Sequence, residues 1–174
     1  MAAAVDYVQL ALSSTRVAFV LASPYTFIVS DGTLPRMGAH RTVPLEKVDV
    51  LATQEAPAVA DKQPPGRAFM AFALRKVTDT FPHMISVGRT NNNDLVVPDM
   101  SISKLHAFFS HTPRGFEVAD AGSKNGTWLG GDLLQPRQPR LLKLGDRIRF
   151  GRIEFTVVDA GACWDTIERM RRPA

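Results

Sequence analysis

Short β-prone runs, cut by turn residues at close intervals, fill residues 68–158 and restrict the fold more than any other feature of this chain. The runs are 69–77, 84–87, 95–97, 105–111, 116–119, 127–129, 147–150 and 154–158. Between them fall 90–93, 98–99, 113–115, 121–122, Gly130-Gly131, Gly145-Asp146 and Gly151-Arg152. Such residues favour turns because Gly tolerates positive φ and Asn and Asp bond their own backbone. No helical period interrupts the series. Strands this short and this densely punctuated predict an all-β sandwich with Greek-key connections.

The flanks read differently. Residues 5–15, with Val5, Val8, Leu10 and Leu12 among polar neighbours, predict a short helix. Residues 17–21 and 25–29 read as β-prone, the second run ending at Ser30-Asp31-Gly32. Residues 54–66 carry Pro57, Pro64 and Pro65 with little bulky apolar content, so they cannot bury enough surface to fold alone and read as a linker or mobile loop. At the far end Trp164, Ile167 and Met170 recur three apart and predict a helix over 164–172. The resulting division is an extension over 1–66, a folded module over 67–160 and a tail over 161–174. The extension is expected to pack on the module, because Phe19, Val20, Leu21, Phe27, Ile28 and Val29 are costly to leave in water.

With 174 residues, 45% of them apolar, the chain can build one real core plus an extension, but hardly two full domains. Its net charge of +4 is uneven: residues 1–66 hold five Lys/Arg against six Asp/Glu, and residues 67–160 hold thirteen against nine. That excess suits an acidic partner without singling out nucleic acid. The single cysteine, Cys163, rules out an internal disulfide framework, leans towards a reducing compartment and reads as an inert small hydrophobe. The apolar run 17–21 is cut by Ser23 and Pro24 before it spans a bilayer, and Asp6 with the lone Arg16 makes a poor signal peptide. These features predict a cytoplasmic protein without a membrane partner.

Three segments that end strands offer donors suited to one anion: Gly88-Arg89, Ser103-Lys104-Leu105-His106 and Ser123-Lys124-Asn125-Gly126-Thr127. The Arg89 guanidinium can grip two phosphate oxygens through parallel N–H bonds. Lys104 adds a point charge. Ser103 as a nucleophile with His106 as its base lacks a small-residue elbow and a carboxylate orienter. The other reading makes Ser103 a hydroxyl donor to the anion and His106 an internal brace. Asn125-Gly126 is a turn dipeptide whose amide suits pairing with an extended peptide backbone, and Ser123 and Lys124 stand beside it within reach of the same anion. No carboxylate pair, metal-ligand cluster or reactive cysteine sits among them, so the pattern predicts phosphate capture with no catalytic residue, metal or cofactor.

Two other classes compete. A phosphate-ester hydrolase needs an acid and a nucleophile or metal, and the nearest carboxylates, Asp94 and Asp99, stand at strand ends where aspartate usually forms turns. A basic nucleic-acid-binding β domain needs a stripe of cations interleaved with aromatics. Here the cations are scattered among carboxylates, and Trp128 reads as a packed strand residue.

The order and spacing of the motifs resemble a forkhead-associated (FHA) domain over about residues 69–159. The resemblance rests on Gly88-Arg89, the Asn93-Asp94-Leu95-Val96 step, residues 99–107 around Ser103 and His106, residues 120–127 around Asn125, and residues 144–151 around Gly145-Asp146. It implies a SMAD/FHA-type sandwich of two twisted, mainly antiparallel sheets with the ligand on loops at one end, in a bacterial protein with a short N-terminal extension. It also implies a non-catalytic phosphothreonine-peptide adaptor in Ser/Thr kinase signalling, whose partner is a phosphothreonine-containing kinase or kinase substrate. Carried over, Arg89, Ser103 and Lys104 meet the phosphate. Lys104 stands where the family often has Arg, so a fork-shaped donor becomes a flexible point charge. Asn125 bonds the peptide backbone, Lys124 replaces a frequent Thr or Ser, and Gly88, His106 and Gly126 brace the loops. Asn91–Asn93 lie in a loop bordering the peptide.

Overall fold

The computed structural model describes residues 6–30 and 69–171. Two sheets carry the fold. The first, in spatial order, is β2 (Met70–Ala73), β1 (Phe27–Ser30), β11 (Ile153–Val158), β10 (Arg147–Phe150), β7 (Thr127–Leu129) and β8 (Asp132–Leu133). The second is β4 (Leu95–Val96), β3 (Ile85–Gly88), β5 (Ala107–Thr112), β6 (Gly115–Asp120) and β9 (Arg140–Leu141). Within them β3 and β4 pair in parallel, and the other strand pairs are antiparallel. The period of two along each strand sorts the side chains. On β10, Ile148 and Phe150 are fully buried in the inter-sheet core, while Arg147 and Arg149 take the other face.

Helices cover part of the outer face of the first sheet. They are α1 (Tyr7–Leu12), α2 (Arg16–Ala22) and α3 (Ala160–Arg171). Local chemistry starts each one. The Asp6 carboxylate accepts from Val8 N (3.0 Å) and Gln9 N (3.1 Å), the Thr15 hydroxyl accepts from Ala18 N (3.3 Å), and the Asp159 carboxylate accepts from Ala162 N (2.8 Å). A second apolar cluster forms beneath them from Tyr7, Ala11, Phe19, Phe27, Val29, Ala73, Cys163 and Ile167. The Phe27 ring meets Tyr7 edge-on at 5.0 Å and Phe19 at 5.9 Å. Burial, with a smaller push from the Asp159 charge, raises the Cys163 thiol to about 12, so it is no thiolate at neutral pH.

Strand β1 explains why part of the N-terminal segment cannot be separated from the sandwich. Its residues are all buried because both faces and both edges are covered. Ile28 points into the inter-sheet core and Phe27 and Val29 into the helix cluster. Its backbone pairs with β2 on one side and β11 on the other. The expected boundary between residues 66 and 67 therefore runs through a sheet, because Ser30 pairs with Met70.

Several expectations need correction. Residues 17–21 form most of α2, not a strand. The Thr15 cap, the burial of Phe19 and the Arg16–Asp165 pair (2.9 Å) that ties α2 to α3 outweigh the β preference of Val17 and Val20. Leu21, expected to be covered, is 77% exposed. The strand expected over 69–77 is confined to Met70–Ala73, after which Leu74 N donates to Thr26 O (2.8 Å). Helix α3 begins at Ala160, earlier than its apolar spacing indicates, because Asp159 caps it and Gly161 conceals the start. The proposed linker over 54–66 lies outside the described residues.

Candidate functional site

The register of the second sheet brings the motif segments to one end. Val87 on β3 pairs with Ala107 on β5, and Ala107 pairs with Asp120 on β6. The chain just after β3, just before β5 and just after β6 therefore emerges side by side. These segments then bond directly. Arg89 N donates to Ser103 O (3.0 Å), and Lys124 N donates to the Ser103 hydroxyl (3.0 Å). Ser103 thus lies between the Arg89 and Lys124 backbones, although 14 and 21 residues of sequence separate them from it. Its hydroxyl accepts from Lys124 and, among the described residues, keeps its own proton to donate.

His106 is fully buried behind this point. Its Nδ1 accepts from Ser103 N (3.1 Å), which fixes the single N–H proton of the neutral ring on Nε2, where it donates to Gly126 O (3.0 Å). Burial lowers its pKa from the ordinary value, against smaller opposing effects of the Gly126 bond and the Asp120 charge. The neutral ring is the form this geometry requires. His106→Ala is expected to lower stability by roughly 3 kcal/mol, since it opens a cavity and strands two buried backbone groups at about 1–3 kcal/mol each. A chemical melt identical to the parent's would show that the ring braces nothing. The sign with pH follows: below about 6.5 the unfolded imidazole takes up a proton that the folded one resists, so stability falls as pH drops from 7 to 5. A His106→Gln variant is expected to flatten that slope.

Two glycines are required by close approach. A Cβ on Gly88 would collide with the Lys104 carbonyl and sit 2.6 Å from Asn93 Nδ2. Gly126 has φ +78°, and a Cβ there would lie 2.8 Å from Leu133 Cδ1 and 2.9 Å from Trp128 Cη2. Trp128, expected as a packed strand residue, is half-buried, with its ring also covered by the Arg149 guanidinium at 3.5 Å.

Bonds that the sequence did not disclose hold the loops in place. Asn93 is buried; its Nδ2 donates to Thr90 O (2.8 Å) and Lys104 O (2.7 Å), and Thr90 Oγ1 also donates to Lys104 O (3.0 Å). Asp99 takes a forked grip from Arg152, with Nη2 at 2.6 Å and Nε at 3.0 Å, and accepts from Ser101 N (2.8 Å). Ser101 in turn accepts from Arg152 N at its hydroxyl (3.1 Å) and from Asn125 Nδ2 at its carbonyl (2.8 Å). The Asn125 amide nitrogen thus spends one bond within the loop, while its carbonyl oxygen has no partner among the described residues. Asp120 is buried, has no salt bridge among the described residues, and is held by Gly122 N (2.7 Å), Ser123 N (2.9 Å), Ser123 Oγ (2.7 Å) and Thr127 Oγ1 (2.7 Å). The Ser123 hydroxyl, expected within reach of the anion, therefore gives its proton to Asp120.

Asp94 is a further anchor. Its carboxylate is fully enclosed and accepts from Lys76 Nζ, Val77 N, Thr78 N, Ser86 N and Ser86 Oγ. Burial raises its pKa, but the Lys76 bond and the backbone N–H groups prevail and bring it to about 2. This lowered value stabilises the fold by about 2 kcal/mol above pH 4, a contribution lost as pH falls towards 2. Asp94→Asn is expected to remove that part of the acid transition; unchanged acid unfolding by circular dichroism would contradict the assignment.

The cations at the rim are free of carboxylates. Among the described residues Arg89, Lys104 and Lys124 form no salt bridge, whereas Arg16, Lys76, Arg114, Arg147, Arg152 and Arg171 do. Lys104 and Lys124 are exposed. The Arg89 side chain meets the Met100 sulfur, with Nη1 at 2.9 Å.

Residues 85–151 match the FHA domain model. The oxoglutarate dehydrogenase inhibitor of Corynebacterium efficiens is 33% identical over 106 residues, which cover 55% of this chain and 68% of that protein. The chain belongs to the FHA-domain family. An ABC transporter ATP-binding/permease protein, Rv1747 of Mycobacterium tuberculosis, is 36% identical over 78 residues, covering 45% of this chain but 9% of the transporter. The chain likewise spans half of the corresponding inhibitor from Corynebacterium diphtheriae. Among solved structures, Mycobacterium tuberculosis EmbR in complex with a low-affinity phosphopeptide is 27% identical, covers 44% of this chain and 20% of EmbR, and has a TM-score of 0.41.

Proposed function

We propose that this protein is a non-catalytic adaptor that captures phosphothreonine peptides on the loop rim after β3, before β5 and after β6. The observation that carries the reading is the Ser103 hydroxyl, donor proton unspent, between two chain segments whose cationic side chains have no carboxylate partner among the described residues. Arg89, Ser103 and Lys104 meet the phosphate, which brings about −1.5 to −2 charges and three acceptor oxygens at pH 7. Lys124 adds charge at the rim, and the free face of the Asn125 amide pairs with the peptide backbone. Gly88, His106 and Gly126 hold the frame. Unmodified threonine offers none of these charge-assisted bonds, so phosphorylation of the partner acts as the switch.

The two carboxylates weighed for hydrolysis, Asp94 and Asp99, support binding instead. Both are held ionised, the first by Lys76 and backbone donors, the second by Arg152 and Ser101 against the opposing effect of burial. Neither keeps a proton to donate as a general acid near neutral pH. The partner is a phosphothreonine-bearing Ser/Thr kinase or kinase substrate, and the setting is the cytoplasm. Among the described residues no helix is long and apolar enough to cross a membrane. Threonine preference over serine rests on one methyl, worth about 1–3 kcal/mol in a fitted pocket. An oriented peptide library screened against the full chain tests all of this. Retention of phosphothreonine peptides over phosphoserine and unmodified ones is expected; indifference to phosphorylation, or phosphate release, overturns it.

A further inference from the structure

Met100 is an apolar side chain in an unusual place. It is 76% exposed, whereas Met170 is 40% exposed, and Met70 and Met84 are partly buried. It buries little, yet its backbone is pinned on both sides: Asp99 by the forked Arg152 grip and Ser101 by Arg152 N and Asn125 Nδ2. The thioether is thereby held at 2.9 Å from Arg89 Nη1, and it is the side-chain partner of that guanidinium among the described residues. A thioether sulfur is a weak acceptor and easily displaced by a phosphate oxygen.

We infer that Met100 is a site of reversible oxidation whose sulfoxide occupies Arg89 and competes with phosphate for it. The inference rests on the reading of Arg89 as a phosphate ligand. The exposed sulfur attacks the terminal oxygen of hydrogen peroxide and the O–O bond breaks. An S–O bond forms, the proton on the transferred oxygen passes to the displaced hydroxide to give water and leave the sulfoxide, and sulfur loses two electrons while peroxide gains them. Oxidation turns a soft, apolar group into a polar one bearing a strong oxygen acceptor. That oxygen is carried at the sulfur already lying against the guanidinium, on a backbone that cannot easily swing away. The oxidised rim thus supplies Arg89 with an internal partner, as Asp99 does for Arg152, and phosphopeptide capture weakens under peroxide stress. Reduction of the sulfoxide restores it.

The test uses the full chain and one phosphothreonine peptide retained in the library screen, followed by fluorescence anisotropy. Peroxide is added until mass spectrometry finds the sulfoxide at Met100. Affinity is expected to fall about tenfold, the scale of one competed charge-assisted bond, and to recover after treatment with the two methionine sulfoxide reductases, one for each epimer. Met100→Leu is expected to bind like the untreated parent and to ignore peroxide. Met100→Gln, with a carbonyl acceptor in place of the sulfoxide, is expected to bind weakly without peroxide. Full affinity in protein oxidised at Met100, equal peroxide sensitivity in the Leu variant, or resistance of Met100 to oxidation while other methionines convert would each overturn the inference. A second readout needs no peptide: the Arg89 Nε–Hε resonance should shift on oxidation of the parent and stay fixed in Met100→Leu. If no phosphothreonine peptide binds the untreated protein, the proposed function fails, and this resonance alone decides the contact; its immobility on oxidation overturns the inference.

Discussion

A chain beginning at residue 67 is expected not to fold, although it retains all three motif segments. It lacks β1, which is inserted between β2 and β11 and is the one strand partner of β2 among the described residues. It also loses Tyr7, Phe19, Phe27, Ile28 and Val29, all less than 9% exposed. Each is worth roughly 1.5–3 kcal/mol of burial, and their sum is comparable to the total stability of about 5–15 kcal/mol that a domain usually has. The exposed edge of β11 would then invite aggregation. Circular dichroism and proton NMR should show no cooperative melt and no dispersed amide signals. A well-dispersed spectrum with a sharp melt from residues 67–174 would mean that β1 is dispensable.

Arg89→Ala is the substitution expected to harm binding most. Its guanidinium can make two parallel charge-assisted bonds to phosphate, each worth about 1.5–3 kcal/mol, so a loss of about a hundredfold or more in affinity is predicted. Stability should barely change, because among the described residues the side chain gives up only its hydrogen bond to the Met100 sulfur. Arg89→Lys keeps the charge and loses the fork, and should fall between the two. Calorimetric titration with the retained phosphothreonine peptide reads both variants. Undiminished affinity in Arg89→Ala would remove Arg89 from the site.

The strands flanking the motifs were legible because turn residues delimit them: Gly88 ends β3, residues 113–114 join β5 to β6, and Asn125-Gly126 precede β7. The place of β1 was not. A four-residue apolar run does not reveal its neighbours, and β2, which pairs with it from Ser30↔Met70 onward, lies far along the sequence. Residues 17–21 show the ambiguity of short apolar runs, which periodicity alone assigns to neither helix nor strand. The exposed strands Asp132–Leu133 and Arg140–Leu141 are two residues each, too short to carry any pattern.

At the site, residue types and order pointed to a shared anion, but the side-chain partners had no local signature. Arg152 reaches back across 53 residues to Asp99. Ser123 is spent on Asp120, a pairing that the Asp-Ala-Gly-Ser spacing permits but does not demand. Met100 reads as an ordinary loop residue until the fold sets its sulfur on Arg89. Such contacts depend on the sheet register, which no single segment encodes.

The most direct measurement is a nitrogen-15 NMR titration of the full chain with one phosphothreonine peptide and its unphosphorylated twin. The account predicts saturable shifts of the Arg89, Ser103, Lys104, Lys124 and Asn125 signals with the first peptide and none with the second. Binding that leaves those five signals unmoved, or that is equally strong without the phosphate, would contradict it.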